Sequence, residues 1–379
     1  MIWALIASLA VVVYVIVAYP LILGWLAKLA PKPLRRDGGL KTVTVVIPVC
    51  DGALFLRDKL ASIISQDYPA ELLEIRVISD GSTDRTDAIA GEFASRGVHL
   101  THIAKGGKAA AINKGIELAT GEIVVMTDVR QELGREGIRR LVERFGDDNV
   151  GVVSGTLVIQ NGATRAETDI GLYWRYETWI REQLGKLDSM FGATGPFYAI
   201  RRSLAVPIPP NVLLDDMYLP LAPFFLGYRL VVEETAKAFD YPTTLETEFR
   251  RKVRTLAGVY QLMGIFPQLL VPGNRMWFHF VSYKVGRLLL PFALMVVFAC
   301  SFFLPEPWRV WALGFQGVFY GIALLDAIIP QSLFLKRFTS PVRTFVVLVI
   351  AAFFAISIFF VPPLSLWKIT KVIGYRGSS

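Results

Sequence analysis

The placement of apolar residues limits this chain more than any other feature. Ile2 to Leu29 is an almost unbroken apolar run, long enough to cross the ~30 Å hydrocarbon core of a bilayer as a helix. Three further runs, Val285–Leu304, Trp311–Ile329 and Phe345–Val361, stand near the C-terminus. Residues from about 40 to 255 read instead as an ordinary water-exposed α/β stretch. The apolar runs lift the whole chain to 53% hydrophobic residues and a mean hydropathy of +0.47. That pattern excludes an ordinary soluble protein and points to a membrane protein with a water-exposed working part.

A secretory leader would bring a basic n-region, a shorter apolar core and a small-residue cleavage site. The run from Ile2 has none of these, so a retained anchor is expected. Trp308, Trp311 and Trp367 sit near the ends of the later runs, where interfacial aromatics belong. Lys28, Lys32, Arg35, Arg36 and Lys41 crowd the stretch after the first run, and Lys336, Arg337 and Arg343 fill the last connection. The positive-inside rule then places residues 30–284 in the cytoplasm and the N-terminus outside. Lys368, Lys371 and Arg376 pull the other way for the C-terminus, whose side stays open. The expected localisation is the plasma (inner) membrane, multi-pass.

Between Leu256 and Tyr283 the chain is apolar but broken by Pro267, Pro272 and Gly273. An interfacial amphipathic helix suits it better than a span. The expected organisation is a transmembrane helix over 1–30, a cytoplasmic domain over 40–255, an interfacial segment over 256–284, three transmembrane helices within 285–366 and a tail over 367–379. The net charge of +8 clusters beside the spans, which suits anionic lipid headgroups. No basic-aromatic platform or zinc-finger spacing suggests nucleic acid. Cys50 and Cys300 fall in the domain and in a span, so no disulfide is expected.

Within the domain, strands are expected over Lys41–Val49, Leu73–Ser79, Val98–Ile103 and Ile123–Thr127. Helices over Leu54–Ser65, Thr86–Ser95 and Ala109–Ala119 alternate with them. That alternation predicts a mostly parallel sheet, whose ligands bind at the carboxyl ends of the strands. Those ends carry Cys50-Asp51, Asp80, Lys105 to Lys108, and Asp128. Asp80 could be a functional acid or an Asx-turn or cap residue. Lys108 follows Gly106-Gly107 and opens a helix, where amides and an ammonium can meet a phosphate. Asp128 ends an apolar strand, where a carboxylate is costly without a partner.

Taken together, VISDGSTDRT, GGKAAAINKGIELATGEIVVMTD, LLDDMYLP and RRKVRTL resemble the family 2 glycosyltransferases, over residues ~42–256. The resemblance implies a GT-A fold, an α/β domain with a mixed, mostly parallel sheet, here joined to an α-helical transmembrane region. The flanking spans are similar to those of chitin-oligosaccharide, hyaluronan and cellulose-synthase-type enzymes. By that resemblance Asp80 binds the nucleoside, with Ser79 in place of the family's first acid. Lys108 and Asn113 line the diphosphate side. Asp128 matches the first acid of the Asp-x-Asp metal motif, but Arg130 stands at the second. An arginine cannot ligate a metal but can pair with phosphate bidentately, so Mn²⁺ or Mg²⁺ use is left open, and Arg130 is expected either to replace the metal in part or to point away.

Asp216 matches the family's general base, with Asp215 beside it, although two adjacent acids could also cap the following helix. Gly192, Ala193, Thr194 and Gly195 match the acceptor loop. Arg254 and Arg251 fall in the motif that clamps the donor, where Thr255 replaces a tryptophan that stacks on the acceptor in processive members. A basic helix face against lipid competes as a reading for Arg250 and Lys252. The expected activity is inverting transfer from a nucleotide-sugar, a UDP-sugar by preference, to a growing poly- or oligosaccharide at the membrane. The alternative acceptor is a membrane lipid or lipid-linked glycan, such as a polyprenyl phosphate. A non-catalytic transporter or scaffold with a degenerate nucleotide-binding domain is the remote rival, separable by donor hydrolysis.

Overall fold

In a computed structural model the described residues are 1–35, 39–159, 165–241, 243–330 and 333–367, with side chains of 165–172 excluded. They divide into a sheet unit, residues 30–159 and 181–241, and a helical unit, residues 1–29, 165–180 and 243–367.

After helix α1 (Ile2–Leu29), β-branched runs give β1 (Val43–Val49), β2 (Leu73–Asp80), β3 (Val98–Ile103) and β4 (Ile123–Thr127). Helices α2 (Ala53–Ile64), α3 (Thr86–Glu92) and α4 (Lys108–Leu118) separate them. All lie close to their expected positions. Four strands follow, β5 (Glu132–Leu133), β6 (Val150–Ile159), β7 (Phe197–Arg201) and β8 (Arg229–Asp240). Among them stand helices α5 (Gly137–Glu143), α6 (Arg165–Leu187) and α7 (Asp215–Phe225). The sheet order is β3-β2-β1-β4-β7-β6-β8-β5. Strands β1 to β4 pair in parallel, whereas β7 runs antiparallel to both β4 and β6. This is the mixed, mostly parallel sheet expected of a GT-A fold.

Parallel pairing puts the carboxyl ends of β1, β2, β3 and β4 on one edge of the sheet, so their end residues converge. The sheet is fixed from one face by α2, whose Leu56, Leu60 and Ile63 are fully buried in a cluster with Val45, Ile47, Val77 and Val125. Burying each such side chain is worth ~1.5–3 kcal/mol, which makes the strand ends a rigid platform.

In the helical unit, α8 (Leu245–Ile265) is followed by α9 (Trp277–Ser301), α10 (Trp308–Leu325) and α11 (Lys336–Phe359). Among the described residues three helices, α1, α9 and α11, are long and apolar enough to cross a membrane. The run Trp311–Ile329, expected as a further span, forms a helix over Trp308–Leu325, 18 residues long and carrying Arg309 and Gln316. Helix α9 begins at Trp277, inside the expected 256–284 interfacial segment, because Pro267, Pro272 and Gly273 all fall before it. Helix α8 begins at Leu245 and belongs to the helical unit. The tail residues Lys368, Lys371 and Arg376, and Arg36, lie outside the described residues.

Several polar side chains within this unit pair with one another. Tyr14 Oη and Ser282 Oγ lie 2.6 Å apart, and Tyr283 Oη donates to Glu177 at 2.5 Å. Asp326 is buried, and it accepts from Lys336 Nζ at 2.9 Å and Thr339 Oγ1 at 2.6 Å. Both cysteines are free.

Candidate active site

Three acids and a lysine meet at the carboxyl edge of the sheet. Asp128 directly follows β4, Lys108 opens α4, and Asp215 and Asp216 open α7. Lys108 Nζ lies 3.0 Å from Asp128 Oδ1 and 3.2 Å from Asp215 Oδ2. Burial works against the Lys108 charge, but Asp128, Asp215 and Asp216 outweigh it and hold the ammonium well above its ordinary pKa. Burial likewise opposes the Asp128 charge, and Lys108 above all, then Arg130 and Lys59, keeps that carboxyl below its usual range. The two shifts have one cause, a charge-assisted pair in a partly dry site.

Capping does not explain the paired acids. Leu214 holds the N-cap position of α7 and no side chain caps the helix. Asp215 is buried and turned to Lys108, while Asp216 is turned to the Gly192–Pro196 loop. The Asp216 carbonyl accepts from Ala193 N at 2.7 Å. A Cβ on Gly195 would stand 2.9 Å from Asp216 Oδ2, so any larger residue there would force the carboxylate to shift. The loop is held from behind as well. Thr194 N donates to Ser154 Oγ at 2.8 Å, and Arg181 Nη2 donates to the Gly192 carbonyl at 3.0 Å.

The sequence-derived assignments divide at this point. Asp80 is 4% exposed, and its two carboxylate oxygens accept from Gly106 N at 2.6 Å and Gly107 N at 2.9 Å. Its contact here is to the glycine loop, with Gly107 at φ +84°, and it thereby aims Lys108. The Asn113 amide contacts Ile208, donating to the carbonyl and accepting from the N–H at 2.8 Å each, and so anchors the segment ahead of α7.

Arg130 is held by a buried acid. Its Nη2 donates to Asp240 Oδ2 at 2.7 Å, an acid that is 1% exposed. That pairing turns the guanidinium fork toward β8 and removes a donor from any phosphate. An Arg130→Ala protein should therefore lose stability by about 3 kcal/mol, since a buried carboxylate is left with less compensation. Gln131 Nε2 and Tyr241 N, which also donate to Asp240, keep the loss from being larger. Chemical denaturation measures it. Unchanged stability with altered metal dependence would return Arg130 to the phosphate role.

Arg251 and Arg254 belong to the helical unit. Arg251 pairs with Glu248 at 2.9 Å and lies 4.6 Å over the Trp174 ring, and Arg254 lies 4.2 Å over Trp367. A protein-built divalent-metal centre is a poor fit for these residues. Asp128 lacks its second acid, its carboxylate and that of Asp215 already face Lys108, and among the described residues no three potential ligands stand in a metal-binding group.

Sequence reading missed three side chains at the site. Tyr198 on β7 is fully buried with no hydrogen-bond partner for its hydroxyl, and burial and the charges of Asp215, Asp216 and Asp128 push its pKa well above the usual phenol value. Thr127 Oγ1 donates to the Pro196 carbonyl at 2.7 Å. Lys59, in α2, is 1% exposed and contacts Thr127. Its signal was available, because Lys59 interrupts the apolar stripe Leu56, Leu60, Ile63 at helical spacing.

Residues 44–206 match the family model described as glycosyl transferase family 2. A probable glycosyltransferase, YdaM, of Bacillus subtilis (strain 168) is 26% identical over 245 residues, covering 60% of this chain and 57% of that protein. A beta-monoglucosyldiacylglycerol synthase of Synechocystis sp. (strain ATCC 27184 / PCC 6803 / Kazusa) is 24% identical over 285 residues, covering 69% and 59%. The chain thus spans less than two thirds of these relatives' length. Among solved structures, the mannosyltransferase PcManGT from Pyrobaculum calidifontis, in complex with GDP-Man and Mn²⁺, superposes with a TM-score of 0.72. It is 22% identical, over 94% of this chain and 99% of that one, and shares the fold.

Proposed function

We propose that this chain, which carries a family 2 glycosyltransferase domain over residues 44–206, is an inverting glycosyltransferase that moves a sugar from a nucleotide-sugar to an acceptor hydroxyl at a membrane surface. The observation that carries the reading is the division of labour among the acids. Asp215 and Asp128 hold Lys108, while Asp216 faces the Gly192–Pro196 loop.

In a single displacement the acceptor oxygen attacks the anomeric carbon as Asp216 takes its proton. The bond to the nucleoside diphosphate breaks on the opposite side, and the Lys108 ammonium, at the start of α4, receives the developing negative charge. Inversion needs no covalent intermediate. The Mn²⁺ in the mannosyltransferase complex makes divalent-metal use plausible. With so thin a donor set on the protein, such an ion would depend on ligands from the diphosphate itself.

Extension of a poly- or oligosaccharide and single transfer to a lipid remain the two acceptor readings. Thr255, in place of a tryptophan that would stack on a growing glycan, favours single transfer, as does the glucolipid-synthase relative. Placement of the working domain on the cytoplasmic side rests on the Lys and Arg residues that follow α1.

The test is turnover by purified protein in lipid nanodiscs, screened with UDP- and GDP-sugars in Mn²⁺, Mg²⁺ or EDTA. Transfer from one donor is expected, with the sugar recovered either in the lipid extract or in a water-soluble glycan. Failure to bind or consume any nucleotide-sugar would overturn the reading.

A further inference from the structure

The buried lysine of α2 is costly and the packing of that helix does not require it. Lys59 is 1% exposed, on the stripe formed by Leu56, Leu60 and Ile63. A leucine or methionine would fill the position without taking a charge out of water. The cost is visible in the amine itself: burial pushes its pKa down to about 7, with Asp128 and Glu132 only partly opposing. Something other than packing holds a lysine here.

Its contacts indicate what. Lys59 Nζ donates to Thr127 Oγ1 at 2.5 Å and to the Gln131 carbonyl at 2.5 Å. These two residues bracket Asp128. Thr127 Oγ1, accepting from the lysine, passes its own proton into a hydrogen bond with the Pro196 carbonyl at 2.7 Å. Pro196 ends the loop whose Gly195 abuts the Asp216 carboxylate and whose Ala193 N–H bonds the Asp216 carbonyl. One continuous bridge, Lys59–Thr127–Pro196, therefore joins the turn carrying Asp128 to the loop facing Asp216.

We propose that Lys59 is a positioning residue for sugar transfer, fixing through Thr127 the placement of the Gly192–Pro196 loop relative to Asp128 and Asp216. Its kinetic consequences rest on the transferase reading above, while its structural claim stands without it. A shift of ~1 Å in a reacting group can cost ~10²-fold in rate, so a side chain out of reach of substrate can govern turnover.

Three full-length proteins in nanodiscs test this: Thr127→Val, Lys59→Met and the double variant. The valine keeps the β-branched shape but removes the hydroxyl that links the two ends. Peptide-resolved hydrogen exchange without ligand should quicken at residues 193–197 and 128–133 in both single variants, with β1 to β3 unchanged. Thermal midpoints should hold or rise in Lys59→Met, because a buried charge has gone. With an active donor, kcat should fall ~10²-fold with donor KM little changed. The double variant should be no worse than the poorer single one, as for two links of one chain.

Unchanged exchange at 193–197 in both single variants would overturn the proposal. So would multiplicative losses in the double variant, or a general rise in exchange with a large fall in midpoint for Thr127→Val. If Lys59→Met fails to fold, Thr127→Val alone decides. If the wild type consumes no donor, the transferase reading falls and the exchange pattern still judges the bridge.

Discussion

An Asp216→Asn protein should fold normally and lose sugar transfer, with kcat down by ~10²–10⁴-fold, the range expected when a general base is removed. Asparagine matches aspartate in shape, so the close approach of Gly195 to the side chain survives. The Ala193 N–H bond goes to the backbone carbonyl of residue 216 and is indifferent to the change. What disappears is the ability to accept a proton. Donor KM should move little, because the Lys108 pairings run to Asp128 and Asp215. Asp215→Asn provides the contrast, since it weakens the ion pair to Lys108 and should raise donor KM and lower thermal stability. If Asp216→Asn kept turnover within a few-fold of wild type while Asp215→Asn abolished it, the base assignment would pass to Asp215.

Much of this architecture could be read from residue order alone, for a physical reason. Strands β1 to β4 are short and rich in β-branched residues, and β1, β2 and β4 run into Cys50-Asp51-Gly52, Asp80-Gly81 and Asp128, so pattern and punctuation agree there. Once they are parallel, their end residues must share an edge, and Asp80, Lys108 and Asp128 follow without further information. Asp216 was singled out by the family resemblance of LLDDMYLP, since locally two adjacent acids could equally have capped the helix.

What escaped depends on contacts distant in sequence. Nothing local to Arg130 says that Asp240, 110 residues later, will take its guanidinium. Nothing near Asn113 announces Ile208. In both places a motif fixed the residue but not the direction of its side chain, and a buried backbone or carboxylate partner decided that. Hydropathy located an apolar run at Trp311–Ile329, and a helix forms there over Trp308–Leu325.

Replacing Lys108 with methionine should be the other severe lesion, and its pH signature separates it from simple unfolding. The ammonium lies between Asp128 and Asp215, with Asp216 adjacent. Without it three carboxylates face one another, and like charges at such range disfavour ionisation. Donor binding and the leaving group both lose their cation, so kcat/KM should drop ~10²–10³-fold. For stability the sign follows from Asp128. Its native pKa is depressed, chiefly by Lys108 once burial is outweighed, so in the wild type it adds stability above the ordinary carboxyl range and loses it as pH falls through the native value. The variant forfeits that contribution. The gap in stability between wild type and Lys108→Met should therefore be widest near neutrality and close only as pH falls below ~4, the unfolded aspartate value, and through the depressed native value of Asp128. Lys108 itself, raised in the native state, stays charged throughout this window and adds no slope of its own. Denaturation midpoints of both proteins across the acid range measure the gap. A gap that stayed constant with pH would mean that Lys108 contributes packing at this position and that its charge does not govern the site.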